Sequence, residues 1–155
     1  MSFSTLVQRI RDGLSAEPAT SQSHEERLRL ATAAVLLDIA YADGTFSPAE
    51  GGNVVDYLQK AFRLPPDDVQ ELIAAAREIR DHTIDHFAMT NYIRKNVALE
   101  ERIEIVRTMW RTAYADGRLT EYENYLIRKL SDLLGLEHHV MIDTKVSVLR
   151  EMEAR

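Results

Sequence analysis

The chain contains no cysteine, and this absence removes several kinds of chemistry at once. Without a thiol there is no disulfide, no cysteine nucleophile and no zinc site with cysteine ligands. Glycine and proline are sparse as well, with six and four residues, so the composition does not indicate a low-complexity chain. No window approaches the roughly 18 consecutive apolar residues of a membrane span, and residues 1–14 lack the apolar run of a signal peptide. A cytoplasmic location is therefore expected.

Basic residues are in the minority, and the net charge at pH 7 is −6. This balance disfavours nucleic-acid binding, because a polyanion needs a basic face. The arginines, among them Arg27, Arg102 and Arg111, are interspersed with acids and are predicted to lie on solvated faces. No glycine-rich phosphate loop, nucleophile elbow or nucleophile–base pairing is visible, so an enzyme is not expected. What is abundant is Ala, Leu, Glu and Arg, a composition that favours helices.

A ten-residue pattern occurs twice, at 41–50 and 114–123, with the copies 73 residues apart. Each reads Tyr-Ala-Asp-Gly, any residue, an apolar residue, Ser or Thr, two further residues and Glu. Glycine past a helix end adopts the left-handed conformation at low cost. Ser or Thr followed three residues later by Glu is a capping box, which begins the next helix. The pattern therefore predicts a duplicated unit of helix, bend and helix.

Apolar periodicity along the rest of the chain predicts an all-α bundle of about seven or eight helices, with an internal two-fold pseudo-repeat and no sheet. The predicted organisation is an N-terminal helix (3–14) and linker within 1–22, and a helical domain at 23–155 with repeats at about 25–64 and 98–136. A capping box at 23–26 is predicted to begin a helix with a single apolar stripe, and Thr90 to cap a short helix. After a one-residue slip, three apolar positions of the first repeat match three of the second: Leu58, Phe62 and Leu64 with Leu130, Leu134 and Leu136.

Each copy of the motif also matches the second half of an EF-hand calcium loop, in which glycine makes the sharp turn and the final glutamate gives two oxygens. The first half does not match. Its first and third positions would be Ile39 and Tyr41 in one copy, and Thr112 and Tyr114 in the other, none of which is a carboxylate. A complete EF-hand is therefore excluded.

A looser oxygen site for Ca²⁺ or Mg²⁺ stays open, with Asp43 and Glu50 in one copy and Asp116 and Glu123 in the other. The alternative is purely structural. The same glutamates complete capping boxes, and the aspartates accept from free amides at the helix start. Duplication does not decide between the two, since structural turns are duplicated too.

A second metal hypothesis concerns His82 and His86, which are four residues apart, the spacing of paired ligands on one helical turn. No zinc-protease pattern surrounds them, and the alternative is a solvated surface pair. A metal-dependent hydrolase at these histidines would require a third ligand and a cleft.

At 41–50 and 114–123 the chain resembles the TerB family, the tellurite-resistance protein B group. Further support comes from Glu101-Arg102 before the second copy and from Leu-Leu-Gly-Leu at 133–136, and the resemblance covers about residues 25–140. A similar module occurs in the N-terminal region of some membrane-anchored DnaJ-like co-chaperones. The resemblance implies an all-helical fold with a pseudo-repeat, and cytoplasmic proteins linked to tellurite or other stress, often near membrane partners.

The resemblance also implies a divalent metal at the acidic residues of the motif, here Asp43, Glu50, Asp116 and Glu123. One departure is that Gly51 and Gly52 follow the first glutamate inside a helix, at a cost of about 1 kcal/mol per glycine. They weaken the first copy or let another backbone or a partner approach closely.

These observations favour a non-enzymatic TerB-like module that binds a partner protein and a divalent cation. The partner is expected to be a protein, membrane-associated or a second copy of the chain, with neither nucleic acid nor direct membrane insertion involved. Two alternatives remain, a metal-free structural adaptor and a metal-dependent hydrolase at the two histidines.

Overall fold

The computed structural model describes residues 21–42, 48–82, 86–115 and 119–154. This part of the chain forms seven α-helices and no strand, which confirms the predicted all-α fold. The predicted helix at 3–14 and the glycines Gly44 and Gly117 lie outside the described residues. The helices are α1 (Ser21–Ala40), α2 (Pro48–Phe62), α3 (Pro66–His82), α4 (His86–Asn96), α5 (Leu99–Ala113), α6 (Glu121–Leu133) and α7 (His138–Glu153).

Helix α1 forms the centre of the bundle. It packs against α2, α3, α4, α5 and α6, and every side chain from position 30 to position 40 is buried. A helix that is covered on all sides has no polar face, so its hydrophobicity has no preferred direction. The prediction of a single apolar stripe was therefore wrong. Leu30, Ala33 and Leu36 lie off the predicted stripe and are fully buried, because neighbouring helices cover α1 all round. The predicted stripe consisted of Leu28, Ala31, Val35, Ile39 and Ala42.

Two predicted helix starts were also wrong. Helix α1 is already helical at Ser21, so the capping box predicted at 23–26 falls inside its first turns. Thr90 lies in the interior of α4 and is fully buried. Threonine is tolerated inside a helix when its hydroxyl bonds a carbonyl one turn back. Four other threonines of the bundle donate in this way to the carbonyl four residues earlier: Thr32, Thr108, Thr112 and Thr144.

In the two helix pairs α1–α2 and α5–α6, the first helices, α1 and α5, end in the same way. Both first helices end one turn before the Asp-Gly of the motif, at Ala40 and Ala113, earlier than the sequence predicted. Two backbone hydrogen bonds then close each end, and the partners in the two copies differ by 73 positions. The bonds are Tyr41 N to Leu37 O (2.9 Å) and Ala42 N to Ile39 O (3.1 Å), and Tyr114 N to Trp110 O (3.0 Å) and Ala115 N to Thr112 O (3.2 Å).

The second helices of the two pairs end alike as well, at the one-residue slip that the sequence predicted. Arg63 has φ 53° and Gly135 has φ 80°, so each places a left-handed residue just after the helix. The next amide then donates to the carbonyl five residues back, Leu64 N to Gln59 O at 3.2 Å, as in a Schellman motif. The equivalent bond after α6 is Leu136 N to Ser131 O at 3.0 Å. Together with the matched first ends, this supports the predicted pseudo-repeat.

The ends of α1 and α5 and the starts of α2 and α6 lie at the same end of the bundle, because the opposite ends of the four helices contact one another. The first half of α1 meets the end of α2, the second half of α2 meets the start of α5, and the start of α5 meets the end of α6. The contacts are Arg29 over the Phe62 ring (5.7 Å), Tyr57 Oη with Glu101 Oε2 (3.3 Å) and Arg102 Nη1 with Leu134 O (2.7 Å). The ends that carry the two Asp-Gly motifs therefore share the other end of the bundle, here called the motif end.

Candidate functional site

The second bend leads into α6 through a complete capping box. The Thr120 hydroxyl accepts from the Glu123 amide at 3.0 Å, and Glu123 Oε1 accepts from the Thr120 amide at 3.1 Å. Glu123 is only 2% exposed. The predicted capping box is confirmed here, and one carboxylate oxygen of Glu123 serves the backbone of the helix start.

The other three predicted ligands are less completely described. Asp43, Asp116 and the side chain of Glu50 lie outside the described residues. The backbone of Glu50 is the third residue of α2, the position that Glu123 occupies in α6, so the two glutamates are equivalent in the helix start. Among the described residues, no group of three or more His, Asp or Glu is arranged to hold a metal ion. The four-acid ligand set stays a prediction.

The two glycines after Glu50 lie within α2, as its fourth and fifth residues. Gly52 is exposed, and a Cβ built on it would meet nothing within 4 Å. No described residue therefore uses the space beside Gly52. The glycine destabilises the helix through its conformational entropy, and no close contact requires it.

Gly52→Ala is therefore expected to raise the free energy of unfolding by about 0.5–1 kcal/mol, because alanine has the higher helix propensity and no strain opposes it. Urea unfolding followed by circular dichroism measures the change. An unchanged or lowered midpoint would mean that something occupies the space beside Gly52.

His82 and His86 do not lie on one helix. His82 is the last residue of α3 and His86 the first residue of α4. The expected spacing of one helical turn was therefore wrong, because the chain changes helix between the two residues. Their side chains lie outside the described part of the chain.

The aromatic residues beside the motif pack in the core or against it. Trp110 is fully buried, and the Lys145 ammonium lies 5.1 Å from the centre of its ring. Tyr41 and Tyr114 are half-buried and pack against the core, and burial raises the pKa of Tyr114 above its usual value. These residues connect the motif end to the core.

Arg102 has a structural role that the sequence did not predict. Its Nε donates to Val97 O at 3.1 Å and its Nη1 to Leu134 O at 2.7 Å, so the guanidinium joins the α4–α5 corner to the end of α6. A cation is favourable at the carbonyl end of a helix.

The prediction of solvated arginines was wrong for Arg102, which is half-buried, and for Arg27, which is 4% exposed. Arg111 forms a two-bond ion pair with Glu151 of α7 at 2.6 and 2.9 Å.

A groove runs between α2 and α5, from Asn53 and Arg111 near the motif end to Phe62 and Ala98 near the opposite end. Tyr57 lies at its middle, and its hydroxyl donates to Glu101 Oε2 at 3.3 Å. Burial, and then the neighbouring Glu101 carboxylate, raise the pKa of Tyr57 far above its usual value. The phenol therefore stays neutral at physiological pH and acts as a hydrogen-bond donor in the groove wall.

Fold and site together define a class: an all-α bundle built on a duplicated pair of helices with an Asp-Gly bend in each copy. The family model for tellurite resistance protein TerB matches residues 29–146, which is more than half of the chain. The chain belongs to the TerB family. Comparison with curated proteins and with solved structures finds no match. No helix among the described residues is long and apolar enough to cross a membrane.

Proposed function

We propose that this TerB-family chain is a non-enzymatic, cytoplasmic module of the stress-resistance type that binds a partner protein and a divalent cation through its two Asp-Gly…Glu motifs. The observation that supports the proposal is that the two helices leading into the motif copies, α1 and α5, end with matching hydrogen bonds, and that each is followed by the same sequence pattern. A pattern that occurs twice, each time after a helix end that packs against the core, is suited to recognition.

The proposed ligands are Asp43 with Glu50 in the first bend and Asp116 with Glu123 in the second. Carboxylates and the main-chain carbonyls at a helix end are oxygen donors, which Ca²⁺ and Mg²⁺ prefer. Capping and metal binding by one glutamate are compatible, since a carboxylate has two oxygens and several lone pairs. An ion held at a bend would fix the angle between two helices and so control the surface that the partner meets.

A second candidate is a metal-free adaptor with the same partner surface. It is favoured by the closed capping box at Thr120 and Glu123, which already gives the buried glutamate a structural role. The hydrolase alternative has lost its support in the sequence, because His82 and His86 belong to different helices.

Calorimetric titration with Ca²⁺, Mg²⁺, Mn²⁺ and Zn²⁺ separates the first two candidates. We expect saturable binding of at least one ion to the native chain, and binding about 10-fold weaker or more in Asp116→Asn, since one charged ligand is lost. Asp143→Asn is the matched control, because Asp143 is an exposed acid on α7. The absence of any binding heat, with a melting temperature that neither ions nor chelator change, would contradict the cation and leave the adaptor.

Partner binding is tested with the same pair of variants. We expect the native chain and Asp143→Asn to retain the same protein from a lysate of native cells, and Asp116→Asn to lose it. If all three chains retain the same amount of that protein, the motif does not take part in partner binding. Sedimentation velocity of the purified chain shows whether a second copy is the partner, since a dimer would then form without any other protein.

A further inference from the structure

A hollow of about 620 Å³ lies between α6 and the start of α7. One face of α6 and the first turn of α7 form its wall, and none of the wall residues belongs to either copy of the motif. Among these residues, Leu136 and Met141 are buried, and Tyr125 is 59% exposed. Small-molecule sites have volumes of about 300–1,000 Å³, so the hollow has the size and part of the apolar surface of such a site.

The hydroxyl of Ser131 is unpaired in the wall of this hollow. Ser131 is 1% exposed, and its Oγ has no hydrogen-bond partner among the residues that the structure describes. Asn124 and Arg128 lie seven and three residues earlier on α6, so the three residues share the helical face that lines the hollow. A buried hydroxyl without a partner is unfavourable, and a ligand with an acceptor atom would satisfy it.

The charged side chains of the wall favour an anion. Arg128 and Lys129 lie in the wall against one acid, Asp132. Two further charges adjoin the wall and cancel, since Lys145 donates to the wall asparagine at 3.2 Å and Glu137 precedes α7. The wall therefore has an excess of one positive charge, although the net charge of the chain is −6. Charged donors and an unpaired hydroxyl suit an anion with several oxygen acceptors.

The start of α7 adds backbone donors beside the hollow. The N-cap residue, Glu137, makes no side-chain hydrogen bond to the first-turn amides, and its carboxylate lies 3.3 Å from Nδ1 of His139 instead. His138, the first residue of this sixteen-residue helix, is in the wall of the hollow. The amino-terminal end of a helix favours phosphate through its free amides and its dipole.

From these observations we infer that the hollow between α6 and α7 binds a phosphomonoester with an apolar or aromatic group. The phosphate accepts from the Arg128 guanidinium, the Ser131 hydroxyl and the first-turn amides of α7. The organic group packs on Leu136 and Met141, which gives the apolar part of the wall an occupant that inorganic phosphate would not supply. This site does not depend on a cation at the motif acids.

Calorimetric titration of the full chain with phenyl phosphate, inorganic phosphate and phenol tests both parts of the inference. Chelator is present throughout, so that no cation at the motif can bridge the chain and a phosphate. We expect phenyl phosphate to bind about 10-fold more tightly than inorganic phosphate, because the ring adds buried apolar surface, and more tightly than phenol. Equal affinity for phenol and phenyl phosphate would overturn the phosphate site, and equal affinity for the two phosphates would overturn its apolar part.

Two substitutions assign the binding to the hollow. Arg128→Gln should weaken phenyl phosphate binding about 10-fold, since a charge-assisted hydrogen bond is lost, and Ser131→Ala about 5-fold, since a neutral one is lost. Arg150→Gln is the matched control, because it removes the same charge from an exposed position of α7 outside the hollow. Circular dichroism checks the fold of each variant, and Arg128 is exposed, so its substitution should leave the helices intact. The absence of binding to the native chain, or equal affinity of Arg128→Gln and Arg150→Gln, would overturn the inference.

The phosphomonoester is either a free molecule or the head group of a lipid, and sedimentation with phosphatidylcholine vesicles that contain phosphatidic acid distinguishes these sources. Vesicle binding that phenyl phosphate displaces and Arg128→Gln weakens would identify a lipid. Binding of phenyl phosphate without vesicle binding would identify a soluble ligand. Vesicle binding that neither phenyl phosphate nor Arg128→Gln changes, together with no calorimetric binding of phenyl phosphate, would overturn the inference.

Discussion

Replacing Gly135 by alanine is expected to lower the free energy of unfolding by about 2–3 kcal/mol. The φ of 80° is left-handed, which costs a residue with a Cβ about 1–2 kcal/mol. The new Cβ would also lie 2.8 Å from Arg102 Nη1 and 3.0 Å from Arg94 Cδ. Arg102 would have to move, which weakens its 2.7 Å bond to Leu134 O, a charged hydrogen bond of about 1.5–3 kcal/mol. Urea unfolding gives the loss.

The pseudo-repeat supplies a reciprocal control, because Arg63 occupies the equivalent left-handed position after α2. Arg63→Gly removes the strain there but adds conformational freedom to the unfolded chain, so the free energy of unfolding should stay level or rise by up to about 1 kcal/mol. Opposite responses at the two positions are the signature of a shared backbone conformation. A neutral Gly135→Ala would contradict both the strain expected at the left-handed residue and the role of Arg102 at the end of α6.

The start of α6 and the ends of α2 and α6 were predictable from sequence, because their determinants are local. The capping box at Thr120 and Glu123 is set by side chains three residues apart, and the slip that aligns Leu64 with Leu136 is visible in the apolar pattern. Each needs only a few neighbouring residues to agree. That is why the duplicated pair could be predicted before its packing was known.

What was not predictable depends on packing between distant segments. The central position of α1 follows from five helices that surround it, and its own sequence indicates only a partial stripe. Thr90 looks like a cap, yet burial inside α4 decides its position. Arg102 looks like any surface arginine, and its role depends on Leu134, 32 residues later in the chain. Propensity is a weak guide when tertiary contacts compete with it.

In the candidate site too, the local feature was predictable and the feature that depends on distant segments was not. The capping role of Glu123 could be predicted because its partner is three residues away. A ligand set cannot be predicted in this way, since it requires carboxylates from separate segments to converge within coordination distance. The sequence supplies the ligand types at Asp43, Glu50 and Asp116, and only titration of the native chain and its variants decides whether an ion brings them together.

Glu123→Ala is expected to destabilise the chain by about 2–3 kcal/mol in the absence of any ion. The substitution removes the acceptor of the Thr120 amide, which costs about 0.5–2 kcal/mol for a cap, and it leaves a void where a side chain only 2% exposed now packs. Thr120→Ala, at an exposed position, should cost about 1 kcal/mol. The double substitution should cost less than the sum, since the two bonds belong to one capping box.

Glu123→Gln distinguishes the cap from the ion. The amide oxygen still accepts from the Thr120 amide, so without a cation the loss of stability should stay below about 1 kcal/mol. With an ion at 100 times its dissociation constant, the native chain gains about 2.7 kcal/mol by linkage. Glu123→Gln should gain little of this, because a carboxylate charge is missing. An ion that stabilises both chains equally would show that Glu123 serves α6 alone, since a ligand shifts stability only through contacts that the folded protein makes with it.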